Sequence, residues 1–179
     1  MAAPIISSNG GPIFFFREFE EPYGYLSQWY PSSFTVPATK STGSNTREMT
    51  FLTTEQYMMY QKAIIFKDYD IAKQIMLEPG PKRQKALGRK VKGFDHKKWD
   101  EEKEKVVEDG NWWKFTQPKE GDMRKLLLET GDRELVEASP FDRIWGVGYS
   151  AATAEQNRAN WGENLLGKAL MRVRSRLQT

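Results

Sequence analysis

The sequence predicts an α+β fold that is predominantly helical, a single compact domain with a few short strands. Three observations lead there. Polar capping residues stand directly before apolar-periodic stretches at Thr53, Asp68 and Asp95, where helix starts need them. Leu166, Leu170, Val173 and Leu177 recur at three or four residues and define one buried helix face. The runs that read as strands are short and bounded by turn formers.

Taken in order, residues 1–11 read as a loose tail of small residues ending at Gly10-Gly11, which places the domain at residues 13–179. Ile13–Phe16 is a short apolar strand, followed by a loop through Pro22, Gly24 and Pro31. Ser32–Val36 and Glu48–Leu52 are expected strands, and the polar Thr39–Arg47 stretch between them is an exposed loop or hairpin tip. Thr53, with Gln56 three residues on, forms a capping box for a helix through Phe66. Asp68 caps a second helix that stops at Leu77, before Pro79-Gly80. Pro81 opens a third helix reaching Arg89, where its missing N–H costs nothing. Asp95 caps a fourth helix that ends at Gly110. A fifth is expected over Lys119–Thr130 with Gly131 as its C-terminal cap, then a strand over Glu134–Ser139 and a last helix over Glu163–Leu177.

Composition narrows the chemistry. The 179 residues are 39% hydrophobic and 13% aromatic, enough for a sizeable core. Cysteine is absent and His96 is the only histidine, which excludes disulfides, thiolate nucleophiles and multi-histidine metal sites. His96 itself reads as an exposed polar residue at a helix start. No metal or cofactor is expected. The N-terminus lacks the basic start and apolar run of a signal peptide, and no segment is long enough to span a membrane. The expectation is a soluble intracellular protein of the cytoplasm or nucleus. Net charge is only +3, but Lys82, Arg83, Lys85, Arg89, Lys90 and Lys92 cluster with no acid between them. Such a cluster is either a solvated helix face or an attractor of phosphate.

Five constellations carry candidate chemistry. Glu55 and Lys62 lie seven residues apart, almost two helical turns, so they share a face with about 10 Å between them along the axis. A carboxylate can stabilise an oxocarbenium-like transition state, and a desolvated amine can attack a sugar C1. An ordinary amphipathic surface carries the same spacing. Asp142, Trp145, Gly146 and Gly148 follow a predicted strand, where Asp142 can hold ribose hydroxyls or, as a catalytic group, a proton, and an aromatic can stack on a base; a structural turn fits equally. Trp112, Trp113 and Lys114 read as a strand with one tryptophan packed and one exposed, or as plain core. Asn164 and Gly167 precede or open the last helix, whose N-terminus can bind phosphate or simply be capped by Asn164. Tyr25, Ser27 and Gln28 stand in an early loop that can grip a base or merely close on itself.

Read together and in order, these blocks resemble the NADAR, or YbiA-like, family. The resemblance runs through Tyr25–Tyr30 (YLSQWY), Thr54–Met59 with Lys62-Ala63, Lys85–Arg89 (KALGR), Lys114-Phe115, Leu127–Asp132 and Leu135–Gly148 (LVEASPFDRIWGVG). Asn164–Arg174 (NLLGKALMRVR) completes it, so it covers residues 13–177. It implies N-glycosidase chemistry at a C1–N bond of a phosphate-bearing ribose. Some members hydrolyse ribosylamino-pyrimidine phosphates of riboflavin synthesis, and others remove ADP-ribose from guanine in nucleotides, DNA or RNA. By the resemblance Glu55 falls on the catalytic glutamate, Lys62 on the lysine associated with a Schiff base to the opened ribose, and Asp142, Trp145, Gly146, Asn164 and Gly167 on binding motifs.

Two departures fall on the base pocket that the family implies. Gln28-Trp29 stands where many bacterial members carry Asn-Phe, and Gln56 stands where they carry His. Thr39–Arg47 and Ala151–Asn160 look like extra loop length. A non-catalytic ADP-ribose-binding module is the alternative from another class; it needs aromatics and a phosphate grip but no paired Glu and Lys.

Overall fold

The computed structural model describes residues 10–37, 48–117 and 122–179. The expected tail before Gly10, the Thr39–Arg47 loop and the start of the expected Lys119–Thr130 helix lie wholly or mostly outside the described residues. Two compact units can be distinguished, one of residues 31–117 and one formed by the N-terminal 30 residues with residues 118–179.

The unit of residues 31–117 is built on one central helix. Strands β2 (Phe34–Pro37) and β3 (Glu48–Phe51) pair antiparallel, Phe34 opposite Phe51 and Val36 opposite Met49. They lead into α1 (Thr54–Ile65), α2 (Tyr69–Leu77), α3 (Pro81–Gly88) and α4 (His96–Thr116), and α1 packs against each of the other three helices and β3. This explains why Tyr57, Met58, Met59 and Tyr60 are all buried although they point around the helix. The rings of Phe34, Phe51, Tyr57 and Tyr60 interlock at centroid separations of 5.1–6.0 Å. Such pairs contribute about 0.5–1.5 kcal/mol each beyond the area they bury.

The caps work as the sequence implies. Thr53 Oγ1 accepts from the Gln56 N–H at 3.1 Å, Asp68 Oδ1 from Ile71 and Asp95 Oδ1 from Lys98. Gln56 returns the favour one residue further out than a capping box does, its Oε1 accepting from the Leu52 N–H at 2.7 Å. Its Nε2 donates to the carbonyl of Ile75 at 3.0 Å, so this fully buried amide ties the start of α1 to the end of α2. α1 ends in a Schellman turn: Asp68 N–H donates to Ala63 O, Lys67 N–H donates to Ile64 O, and Lys67 takes the left-handed conformation at φ 60°.

The fourth helix corrects an expectation. α4 does not stop at Gly110 but runs to Thr116. A Cβ on Gly110 would sit 2.8 Å from the Tyr57 ring, so the glycine is there to let α1 and α4 approach. Asn111–Phe115 is consequently helical rather than a strand.

The unit of residues 10–30 and 122–179 pairs strands far apart in sequence. β1 (Ile13–Phe15) runs parallel to β4 (Leu135–Glu137), with Ile13 opposite Leu135. A short 3-10 turn at Gly24–Leu26 follows β1, α5 (Met123–Leu128) precedes β4, and α6 (Ala151–Ala154), a 3-10 segment at Glu155–Asn160 and α7 (Leu165–Gln178) follow it. Ala151–Asn160 is thus helical where loop was expected. Its inward residue, Ala154, packs with Val136 and Val147 under Phe14, Tyr149 and Trp161.

α7 packs on β4 through Asn164 and Gly167. Asn164 adopts φ 52°, and its side chain bonds the strand at both ends, Nδ2 donating to Leu135 O at 2.9 Å and Oδ1 accepting from Glu137 N–H at 3.0 Å. At Gly167 a Cβ would lie 2.0 Å from Leu135 O. Gly167→Ala is therefore expected to push the helix off the strand. The overpacking should cost about 3 kcal/mol and lower Tm by about 6–12 °C, read by thermal denaturation, whereas the exposed neighbour Lys168→Ala should change little.

Candidate active site

Glu55 and Lys62 both lie on α1, Glu55 in its first turn and Lys62 in its last. The helix N-terminus favours the Glu55 carboxylate, which is only 5% exposed. Lys62 is half-buried. Its Nζ stands 4.2 Å from the centroid of Phe94 and 5.6 Å from that of Trp99, a residue of α4. Burial lowers the basicity of this amine, and the nearby Arg89 guanidinium lowers it further, while the Glu55 carboxylate works in the opposite direction. The depressed basicity that an attacking lysine requires is thus built into the surroundings of Lys62. The amine sits between two aromatic faces, with a buried carboxylate seven residues earlier on the same helix.

Arg89, Phe94 and Trp99 were not singled out as site residues from the sequence. Arg89 reads as one cation of a basic run and Trp99 as a core position of the fourth helix; only the packing of α3 and α4 on α1 brings them to Lys62. Of the basic run, Lys82, Arg83, Arg89, Lys90 and Lys92 are exposed and Lys85 is half-buried; α3 buries Gln84.

The other candidates on α4 fare differently. Trp112 and Trp113 are both half-buried, because neighbours on a helix diverge by about 100° rather than facing opposite ways. Lys114 is fully buried, its Nζ 5.2 Å from the Phe115 ring centroid.

In the unit of residues 10–30 and 122–179, the Ser139–Gly148 loop docks along the end of β4. Asp142 Oδ1 accepts from the N–H groups of Ile144 (2.9 Å) and Trp145 (2.8 Å), which makes the turn. Gly146 is wedged where a Cβ would meet Glu137 O at 2.7 Å. Trp145 is half-buried, while Phe141 is 85% exposed.

The same loop also meets the start of the last helix. The N–H groups of Glu163, Asn164, Leu165 and Leu166 donate to carbonyls of Arg143, Gly146, Ile144 and Trp145. The Asn164, Leu165 and Leu166 amides at the start of α7 are thus engaged by the protein's own carbonyls. Asn164 makes no side-chain cap to the helix either; both ends of its amide hold β4.

The early loop is likewise tied down. Tyr25 is buried and its hydroxyl donates to Leu126 O at 2.9 Å; burial raises its pKa. Ser27 Oγ accepts from the Trp29 N–H at 3.2 Å, and Gln28 is buried. Arg174, the end of the last block of the resemblance, is buried and donates to Thr130 Oγ1 and Arg133 O. Among the described residues no helix is long and apolar enough to cross a membrane.

Comparison with known proteins places this arrangement. The chain is 42% identical over 155 residues to N-glycosidase R617 of Acanthamoeba polyphaga mimivirus, spanning 86% of this chain and 87% of that protein. It is 32% identical over 166 residues to N-glycosidase Npun_R5314 of Nostoc punctiforme, spanning 93% and 92%. The NMR structure of the Escherichia coli protein YbiA superposes with a TM-score of 0.70 at 28% identity, over 94% of this chain and 86% of that one, and has the same helix-rich α+β fold. The model of the NADAR domain matches residues 14–178, which takes in every candidate residue named above, and the chain therefore belongs to the NADAR family.

Proposed function

We propose that this protein is an N-glycosidase that hydrolyses the C1–N bond between a phosphate-bearing ribose and a base, and that its substrate is ADP-ribosylated guanine in a nucleotide or nucleic acid. The observation that carries the reading is the Lys62 amine, held over Phe94 and made less basic by burial and Arg89, on the same helix as the buried Glu55.

The neutral Lys62 amine attacks C1 and the C1–N bond to the base breaks, its electron pair leaving with the base, which takes up a proton. Glu55 stabilises the positive charge that develops at C1 and handles that proton. Cleavage of the ring C1–O bond then yields a protonated Schiff base. Water adds to its carbon, the C–N bond to Lys62 breaks to leave a C1 aldehyde and restore the amine, and the ring hydroxyl freed earlier adds back to C1, so that the sugar leaves as a closed ring with a hydroxyl there. The sum is one water consumed per base released. Asp142 is proposed as a third catalytic group, Trp145 and Gly146 as ribose and base contacts, and Tyr25, Ser27, Gln28, Trp113, Lys114, Asn164 and Gly167 as further binding positions, on the family resemblance alone.

The names of the relatives carry the N-glycosidase part of this reading. The exposed cations of residues 82–92 favour a substrate with several phosphates over one with a single phosphate. The test is turnover of ADP-ribosylated guanosine nucleotide against a ribosylamino-pyrimidine phosphate. Free ADP-ribose and intact guanine nucleotide are the expected products, with kcat/KM at least tenfold above that for the pyrimidine. The reverse ranking would move the protein to riboflavin-pathway intermediates, and no turnover of either would leave an ADP-ribose-binding module.

A further inference from the structure

We propose that Arg89 is a positioning residue for Lys62: it supplies the fixed cation that keeps the Lys62 amine available as a nucleophile. The inference rests on the reading of Lys62 given above and adds a residue to it.

The placement begins with a glycine. α3 closes on α1 at Gly88, where a Cβ would lie 2.1 Å from Met59 Sδ. Met59 is one turn before Lys62 on α1, so the two share a face. Arg89 is the next residue after Gly88 and caps the C-terminus of α3, its N–H donating to Lys85 O. A residue at this position is carried to the turn that holds Lys62 by backbone packing, not by its own side chain. Arg89 itself is exposed.

The other groups about Lys62 do not duplicate that cation. Phe94 and Trp99 are uncharged and close off solvent. Glu55, on α1 itself, favours the protonated amine and so opposes Arg89. From α2's N-terminus, the Asp68 carboxylate is engaged by the Lys92 N–H and then the Ile71 N–H, which hold it below the ordinary carboxylate range. From the start of α4, Asp95 is used as a cap and Lys98 Nζ donates to Ile65 O, while His96 packs on Phe94 at 4.7 Å. Arg89 is therefore the group whose removal changes the charge balance at Lys62 most directly. Arginine suits the task because its own proton is never lost in the working range.

The experiment reads Lys62 without any substrate. The folded protein is labelled with a limiting amount of acetic anhydride across pH 6–11, and the acetylated fraction of the Lys62 peptide is measured by mass spectrometry. In the native protein the midpoint is expected below the ordinary lysine value of about 10.4. Arg89→Met should move it to higher pH, and Arg89→Lys should restore it. Lys90→Met, a neighbour that is also exposed, should leave it in place. An unmoved midpoint in Arg89→Met overturns the proposal. Because the readout is acetylation, a shifted midpoint in a protein that forms no covalent intermediate would sustain the Arg89 assignment and defeat only the Schiff-base chemistry.

Discussion

Lys62→Arg is expected to abolish covalent capture of the opened sugar. Incubating the native protein with its substrate and a borohydride reductant should add one reduced sugar phosphate moiety, mapped to the Lys62 peptide. Arginine keeps the charge and much of the stem but does not condense with an aldehyde carbon under these conditions, so the adduct should vanish. Lys62→Ala should lower kcat by at least about 10³-fold, as expected when a nucleophile is removed. Stability should change little by comparison, since Lys62 is half-buried and its contacts are with ring faces rather than a tight hydrogen-bond network.

The pH dependence follows from the same surroundings. Only the neutral amine attacks, and burial together with Arg89 lowers its pKa. Capture should therefore rise with pH through that lowered pKa and level off above it, at a lower pH than an exposed lysine would require. Full turnover by Lys62→Ala would end the covalent mechanism. It would leave a route in which Glu55 alone steadies the oxocarbenium and water attacks directly.

How far the sequence reveals this arrangement depends on the range of the interaction. Helix starts are local: Thr53, Asp68 and Asp95 stand where the sequence implies because each side chain accepts from an amide three residues on, and Pro81 because its fixed φ and missing N–H suit a first turn. The end of α4 is not local. Gly110 reads as a stop, and only the Tyr57 ring lying across it shows why a glycine interrupts nothing. The Glu55–Lys62 spacing is legible because it belongs to one helix. Its partners are not, since Arg89, Phe94 and Trp99 reach Lys62 through the packing of separate elements. Asn164 and Gly167 show how far such packing reaches. A short polar motif before a helix suggests an anion site, yet these residues knit α7 to a strand that begins 29 positions earlier. Recurrent motifs mark packing as readily as chemistry.

Glu55→Gln is expected to produce the other large effect, a fall in kcat of about 10²–10⁴-fold with little change in affinity for ADP-ribose. The substitution preserves the shape of a side chain that is almost wholly buried, so α1 should fold as before. What it removes is negative charge and the capacity to exchange a proton. In the ground state neither is needed to hold a neutral ribose; in the transition state C1 is electron-poor and the departing base needs a proton, so the loss should appear in kcat rather than in binding. Glu55→Gln should also make Lys62 less basic, because the carboxylate that favours its protonated form is gone. Acetylation of Lys62 should then reach its midpoint at lower pH even as turnover collapses. That combination separates a lost acid–base group from a damaged nucleophile. An ADP-ribose-binding module would show neither the kinetic loss nor any turnover to lose, and a fully active Glu55→Gln would remove the glutamate from the mechanism.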